Sequence, residues 1–247
     1  MSTPPKREHL RQLVEGKQLW SEPLTDEDRA KGFLGWHERG YLPHCDKPGL
    51  TQFVTFRLAD SMPESRRGEW EHLLKISEAD TRSDAPRSGA QSIALRDAED
   101  RKRRTKLEEY LDRGHGECHL QVPQIAAWIE NAILHHHNQR FRLLAWVVMP
   151  NHVHVLVEVW QTPLARILQN WKSITAVEAN RMLGCTGTFW QPEYWDRFMR
   201  SEEQLRKAIR YIENNPVKAG LCSHATEWRC SSARFRDEET RELKLVG

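Results

Sequence analysis

A chain of 247 residues can bury a sizeable core, enough for one domain of roughly 150 residues with attachments. Its 37 basic and 35 acidic residues leave a formal charge of +2, so bulk charge does not mark a nucleic-acid binder and any such role must come from local clustering. Five scattered cysteines without Cys-x-x-Cys spacing argue against a disulfide framework or a zinc ribbon and suit a reducing compartment.

The opening Ser2-Thr-Pro-Pro-Lys-Arg-Glu-His9 lacks the apolar stretch of a signal peptide, and no run approaches a membrane span. That predicts a cytosolic protein. Residues 1–48 read as a helical and irregular arm, with short helices expected over His9 to Leu13 and over Asp26 to Phe33, the second capped by Thr25. Gly35 to His44 reads as a connecting loop from which Trp36, Arg39 and Tyr41 could stack on or grip a nucleic-acid strand.

Thr51 to Leu58 is β-branched and aromatic and predicts a strand, the start of a domain expected over 49–235. Glu64 to Ile76 predicts a helix. From Asp80 to Asp97 the chain turns polar with Gly, Ser, Pro and Arg, and an exposed insertion is expected over about 80–118. Within it, Arg101-Lys-Arg-Arg104 opens a helix ending near Leu111. His115-Gly-Glu-Cys118-His119 holds chelating side chains but has no obvious second half.

Pro123 takes the first position of a helix whose apolar stripe is Ile125, Trp128, Ile129, Ala132 and Ile133. His135 to His137 at its end suit the helix dipole as positive charges. A strand pair follows over 140–149 and 152–160. Thr162-Pro163 opens a long helix with Leu164, Ile167, Leu168, Trp171 and Ile174 on one side, Lys172 elsewhere, and Gly184 as its stop. Thr188 to Met199 predicts a short strand and turn, and residues 236–247 a C-terminal tail. The order of elements from 51 to 215 predicts an α+β fold: a ferredoxin-like antiparallel sheet, β-α-β-β-α-β, with an added C-terminal helix.

Chemistry concentrates in two places. In Met149-Pro-Asn-His152-Val-His154-Val-Leu-Val-Glu158 the strand period puts His152 and His154 side by side, with Val153, Val155 and Val157 on the opposite face. Such a pair is half of a metal site, or simply two strand histidines facing solvent. The last long helix opens with Ser201-Glu-Glu-Gln204, which has the form of a capping box. It carries the stripe Leu205, Ala208, Ile209 and Ile212, and Asn214-Asn215-Pro216 is expected to end it. Tyr211 and Asn215 lie within about 40° of each other on its surface. Alone, they read equally as a core-edge tyrosine and a helix-capping asparagine.

Together, Trp146-Val-Val-Met-Pro-Asn-His152-Val-His154, Phe189-Trp-Gln-Pro, Tyr211-Ile-Glu-Asn-Asn215-Pro-Val-Lys218-Ala-Gly-Leu and Trp228-Arg-Cys-Ser-Ser-Ala resemble the REP-associated tyrosine transposases. These are relatives of the IS200/IS605-type single-tyrosine transposases of the HUH endonuclease superfamily, and the resemblance covers roughly residues 40–235. It implies that His152, His154 and Asn215 hold a divalent cation, Mg²⁺ or Mn²⁺, and that Tyr211 is the nucleophile. It further implies a bacterial, nucleoid-associated enzyme, monomer or homodimer, that cuts and rejoins single-stranded DNA beside REP-like hairpins through a 5′-phosphotyrosine. Asn215 stands where such transposases often have Gln, and Trp228-Arg-Cys departs from Trp-x-Trp. Arg197, Lys207, Arg210 and Lys218 cluster positive charge around the helix, with Arg39, Tyr41 and Lys172 as further candidate DNA contacts and Trp190, Tyr194 and Trp195 as candidate stacking rings. The alternative is a non-catalytic, hairpin-binding regulator that retains the fold.

Overall fold

The computed structural model describes residues 21–39, 42–62, 105–106, 108–237 and 239–245. The expected helices at His9 to Leu13 and Glu64 to Ile76, the polar stretch Asp80 to Asp97, the Arg101–Arg104 run and Tyr41 lie outside these residues. So does the Arg39 side chain.

In chain order the elements are α1 (Asp26–Lys31), β1 (Gly35–Arg39), β2 (Leu42–Asp46), β3 (Thr51–Arg57), α2 (Pro123–Leu134), β4 (Phe141–Val148), β5 (His152–Val159), α3 (Leu164–Leu183), β6 (Trp195–Phe198) and α4 (Glu202–Lys218). A further helical stretch runs through 105–112 around one undescribed position. The main sheet has the order β4-β5-β3-β6, every neighbour antiparallel. Counted from β3, that is the ferredoxin-like arrangement expected from the element order.

Each face of the sheet has its own cover. Val54, Phe56, Val153, Val155 and Val157 join Ile125, Ile129 and Ile133 of α2 and Leu164, Ile167, Leu168 and Trp171 of α3 in the larger core. Phe53, Ala145, Val147 and Leu156 point the other way, onto Leu205 and Ile212 of α4. Because side chains alternate along a strand, this second face is also the one that carries Thr55 and His154, which are register partners. The strand pleat therefore aims the histidines at α4.

Three sequence expectations change. Gly35–His44 is not an irregular loop: β1 and β2 form an antiparallel hairpin in which Arg39 pairs with Leu42. In the sequence, the Gly-x pair between these two runs is a hairpin signal, outweighed there by the Trp, His and Pro around it. Ile174 is half exposed, and Thr175 takes its place in the α3 interface, where its hydroxyl accepts from the Trp190 indole at 2.9 Å. Finally, α4 does not stop at Asn215-Pro216 but continues through a buried Pro216 to Lys218. Proline lacks the N–H that would bond back four residues, but Ala219 N–H bonds the Asn215 carbonyl at 2.9 Å and Leu221 N–H the Pro216 carbonyl at 2.9 Å, so the last turn closes around it.

The N-terminus of α4 is close to the expected capping box. Ser201 accepts from Gln204 N–H at 3.2 Å, while the Gln204 side chain reaches one residue further back and accepts from Arg200 N–H at 3.0 Å. The C-terminal segment ties the other side of α4 to the sheet. Buried Glu213 accepts from Ser232 Oγ at 2.8 Å and from Arg236 Nε at 2.6 Å, and Arg236 also donates to the Leu144 carbonyl at the bulge in β4. Among the described residues no helix is long and apolar enough to cross a membrane.

Candidate active site

His152 and His154 are fully buried on β5, with their Nε2 atoms 3.1 Å apart. Each ring is held from behind. His152 Nδ1–H donates to Asn151 Oδ1 at 2.8 Å, and Asn151 is itself oriented by donating through Nδ2 to the His115 carbonyl at 3.0 Å. His154 Nδ1 lies 2.8 Å from the Thr55 hydroxyl, which can donate or accept. Burial, reinforced by the nearby Lys218 charge, pushes the His152 imidazole down to about 3, so near neutral pH it is uncharged and its Nε2 presents a lone pair. The direct Nε2–Nε2 contact then requires His154 to donate, with Thr55 donating to its Nδ1. An ion between the rings would need the other His154 tautomer, and the amphoteric Thr55 hydroxyl permits both.

Helix α4 brings the second half. The His154 and Tyr211 ring centroids are 5.5 Å apart, and Phe53 lies against both at 5.3 and 5.9 Å. Asn215 Nδ2 donates to the Tyr211 hydroxyl at 3.0 Å. The other atom of that carboxamide, Oδ1, is buried with no hydrogen-bond partner. A buried carbonyl oxygen left unpaired costs on the order of 1–3 kcal/mol unless something binds it.

The donor set fits a divalent cation. Two bonds of about 2.1 Å meeting near a right angle span about 3 Å, close to the Nε2–Nε2 separation, and the orphaned Asn215 oxygen is a hard ligand. Among the described residues no group of three His, Cys, Asp or Glu side chains converges, and the unpaired carboxamide oxygen is the further donor that Tyr211's neighbour offers. His115 packs against Tyr110 with the rings tilted, and the Cys118 thiol donates to the Gly114 carbonyl; among the described residues this stretch forms no cluster of three such side chains.

Residues 125–215 match the family described as Transposase IS200 like. This region of the chain is similar to that family. It begins on α2 and ends at Asn215, so it contains both histidines and Tyr211. A REP-associated tyrosine transposase of Escherichia coli (strain K12) is 30% identical over 94 residues, 37% of this chain and 54% of that protein. A Haemophilus influenzae protein provisionally described in the same terms is 26% identical over 105 residues, 37% of this chain and 58% of its own. The chain thus spans about half the length of the curated relatives it matches. Among solved structures, a REP-associated tyrosine transposase bound to a REP hairpin aligns with a TM-score of 0.43 at 16% identity, covering 87% of this chain and 100% of that one.

Of the cationic candidates, only some approach this face of the IS200-like region. Lys218 does: its Nζ is 5.7 Å from the Tyr211 ring centroid. Arg197 is the register partner of Phe53 and so projects from the same face of the sheet. Arg210 is exposed on α4 beside Tyr211. Lys207 is exposed too, and pairs with Glu203 at 2.6 Å. Lys172 sits instead on α3, across the sheet, where its ammonium holds the carbonyls of Gln191, Pro192 and Glu193 at 3.0–3.4 Å. Trp190 and Tyr194 are likewise buried in the larger core rather than offered as stacking rings, whereas Trp195 lies against Phe53 at 5.8 Å.

Two contributors escape a linear reading. Thr55 supports His154 only because β3 pairs with β5 in this register. Asp112, from the helical stretch before Gly114, reaches Lys218 at 2.8 Å across 106 residues of chain. Asn151, adjacent to His152, was the findable one. Cys230, where the Trp-x-Trp pattern breaks, is buried in the larger core, and burial pushes its thiol up to about 11, as suits a packing role.

Proposed function

We propose that this chain is a metal-dependent endonuclease and strand transferase that acts on single-stranded DNA beside REP-type hairpins through a covalent 5′-phosphotyrosine. The observation that carries this reading is the approach of Tyr211 and Asn215 to the His152–His154 pair, with a hydrogen bond fixing the hydroxyl and an unpaired carboxamide oxygen beside it. The descriptions of the two curated relatives name a tyrosine and a REP association, and both agree with the proposal.

His152, His154 and Asn215 would hold Mg²⁺ or Mn²⁺, as the resemblance implies: the amide and phosphate oxygens suit either ion, while the two imidazoles lean toward Mn²⁺ or Zn²⁺. When bound, the ion supplies Lewis acidity at the phosphodiester. Tyr211 supplies the nucleophile. A free phenol has a pKa near 10 and is about one part in a thousand ionised at pH 7, so the carboxamide N–H of Asn215, already on the oxygen, helps hold it as charge develops. The Tyr211 oxygen forms a bond to phosphorus and loses its proton to solvent. The bond from phosphorus to the 3′-side oxygen breaks, and that oxygen takes a proton from solvent and leaves as a 3′-hydroxyl. The phosphotyrosine conserves the bond energy, so a hydroxyl can reverse the step and rejoin the strand without ATP.

The test is incubation of the protein with labelled single-stranded hairpin DNA and Mn²⁺, followed by denaturing electrophoresis. Wild type gives a shifted, covalent protein–DNA band. Tyr211→Phe binds the same DNA and gives none. A wild-type protein that binds hairpins without ever forming the band would make the chain a regulator that has kept only the fold.

A further inference from the structure

At the C-terminal end of the active-site helix a cation is met by an anion of the chain itself. Lys218 is three residues past Asn215 and seven past Tyr211, within about 20° of Tyr211 on the helix surface. It reaches that position only because α4 runs on through Pro216. Its ammonium stands beside the Tyr211 ring and is engaged by the Asp112 carboxylate, while the other Asp112 oxygen is buried without a partner. The segment carrying Asp112 touches the site twice. Asp112 meets Lys218, and the His115 carbonyl holds Asn151, which holds His152. Leu111 of the same segment packs with Met62 and Trp195. The rings that would face the substrate are meanwhile fully buried, with Tyr211 half buried.

From this arrangement we propose that Lys218 contacts the reacting phosphodiester, and that Asp112 occupies its place on Lys218 while no DNA is bound. The inference rests on the proposed endonuclease reading. A carboxylate and a phosphodiester each present one negative charge shared between two oxygens, so one can replace the other on an ammonium. The exchange is inexpensive: Lys218 is half exposed, and ion pairs of that kind contribute little. Phosphate entry then frees Asp112, loosens the segment from α4 and opens the side of the site. In the transition state the Lys218 charge lies where negative charge accumulates on the nonbridging oxygens.

The experiment measures two quantities with the full chain: equilibrium binding of a labelled single-stranded hairpin, and the rate of the Tyr211-dependent adduct with Mn²⁺. Asp112→Asn tightens binding about fivefold, the most that losing an exposed ion pair releases, and speeds the adduct. Lys218→Gln slows the adduct about 100-fold, the scale of one lost charge-stabilising donor, and Lys218→Arg restores most of the rate. In the double variant Asp112→Asn/Lys218→Gln the gain from Asp112→Asn disappears, because Asp112 acts through Lys218. If that gain persists without Lys218, it reflects only a general loss of negative charge and the proposal fails. It fails equally if Asp112→Asn binds and reacts like wild type. A wild-type protein that forms no adduct would instead sink the endonuclease reading, and the binding comparison would still decide the exchange of Asp112 for phosphate.

Discussion

The Asn215 carboxamide donates to the Tyr211 hydroxyl at 3.0 Å and keeps its own oxygen buried and unpaired. Half of the side chain holds the hydroxyl of the proposed nucleophile, and the other half carries the oxygen proposed as a metal ligand. In the absence of metal, Asn215→Ala is therefore expected to cost less stability than an ordinary buried hydrogen bond, since an unsatisfied oxygen leaves with it. Mn²⁺ at 100 times its dissociation constant should stabilise wild type by about 2.7 kcal/mol and the variant far less. Thermal denaturation with and without Mn²⁺ checks both statements, and an equal Mn²⁺ response in the two proteins would remove Asn215 from the ligand set.

Thr55→Val keeps the shape of the residue behind His154 but loses the hydroxyl that accommodates either tautomer. Asn151→Ala does the equivalent to His152. Each should weaken Mn²⁺ binding by about 10- to 100-fold while the far-ultraviolet spectrum stays that of wild type. Isothermal titration calorimetry measures the affinity, and an unchanged value would show that packing alone orients the rings.

Glu213 lies on α4 between Tyr211 and Asn215 and is gripped by Arg236 and Ser232, with Arg241 at 3.6 Å. Glu213→Ala strands the Arg236 guanidinium in a buried position and should destabilise the chain by about 3–5 kcal/mol. Urea unfolding reads the loss directly. A change below about 1 kcal/mol would mean that this network does not anchor the helix.

His137 corrects the expectation that the histidines ending α2 act as charges. Its Nδ1 accepts the Leu143 N–H at 3.0 Å, and burial, with the Arg142 charge, pushes its pKa down to about 4. The unfolded state takes up a proton near pH 6.5, and the folded state only near 4. The stability it contributes is complete above the higher value and is lost as pH falls between the two. Melting temperatures measured from pH 7 to 4 should decline, by about 2–4 °C for each kcal/mol lost, and His137→Gln should flatten part of that decline.

Patterns with a short period were legible in the linear chain. Alternation in 152–159 separated the histidines from Val153, Val155 and Val157, and the structure keeps that division across two distinct cores. The helical period put Tyr211 and Asn215 on one face, where they hydrogen-bond. Single positions were less legible wherever partners are remote. Ile174 fitted the apolar period of α3 but faces solvent, because Thr175 has Trp190 to bond with. Lys172 looked like a free cation until the 191–193 carbonyls closed around it.

For His152, His154, Tyr211 and Asn215, the shared face and the element that carries it follow from local backbone geometry and could be read from residue order alone. Which faces meet could not. The opposition of β5 to α4, the support of His154 by Thr55 and the reach of Asp112 to Lys218 join residues about 60 to 106 positions apart. Those pairings are selected by the burial of whole faces and by strand register, quantities that exist only once the chain has folded back on itself.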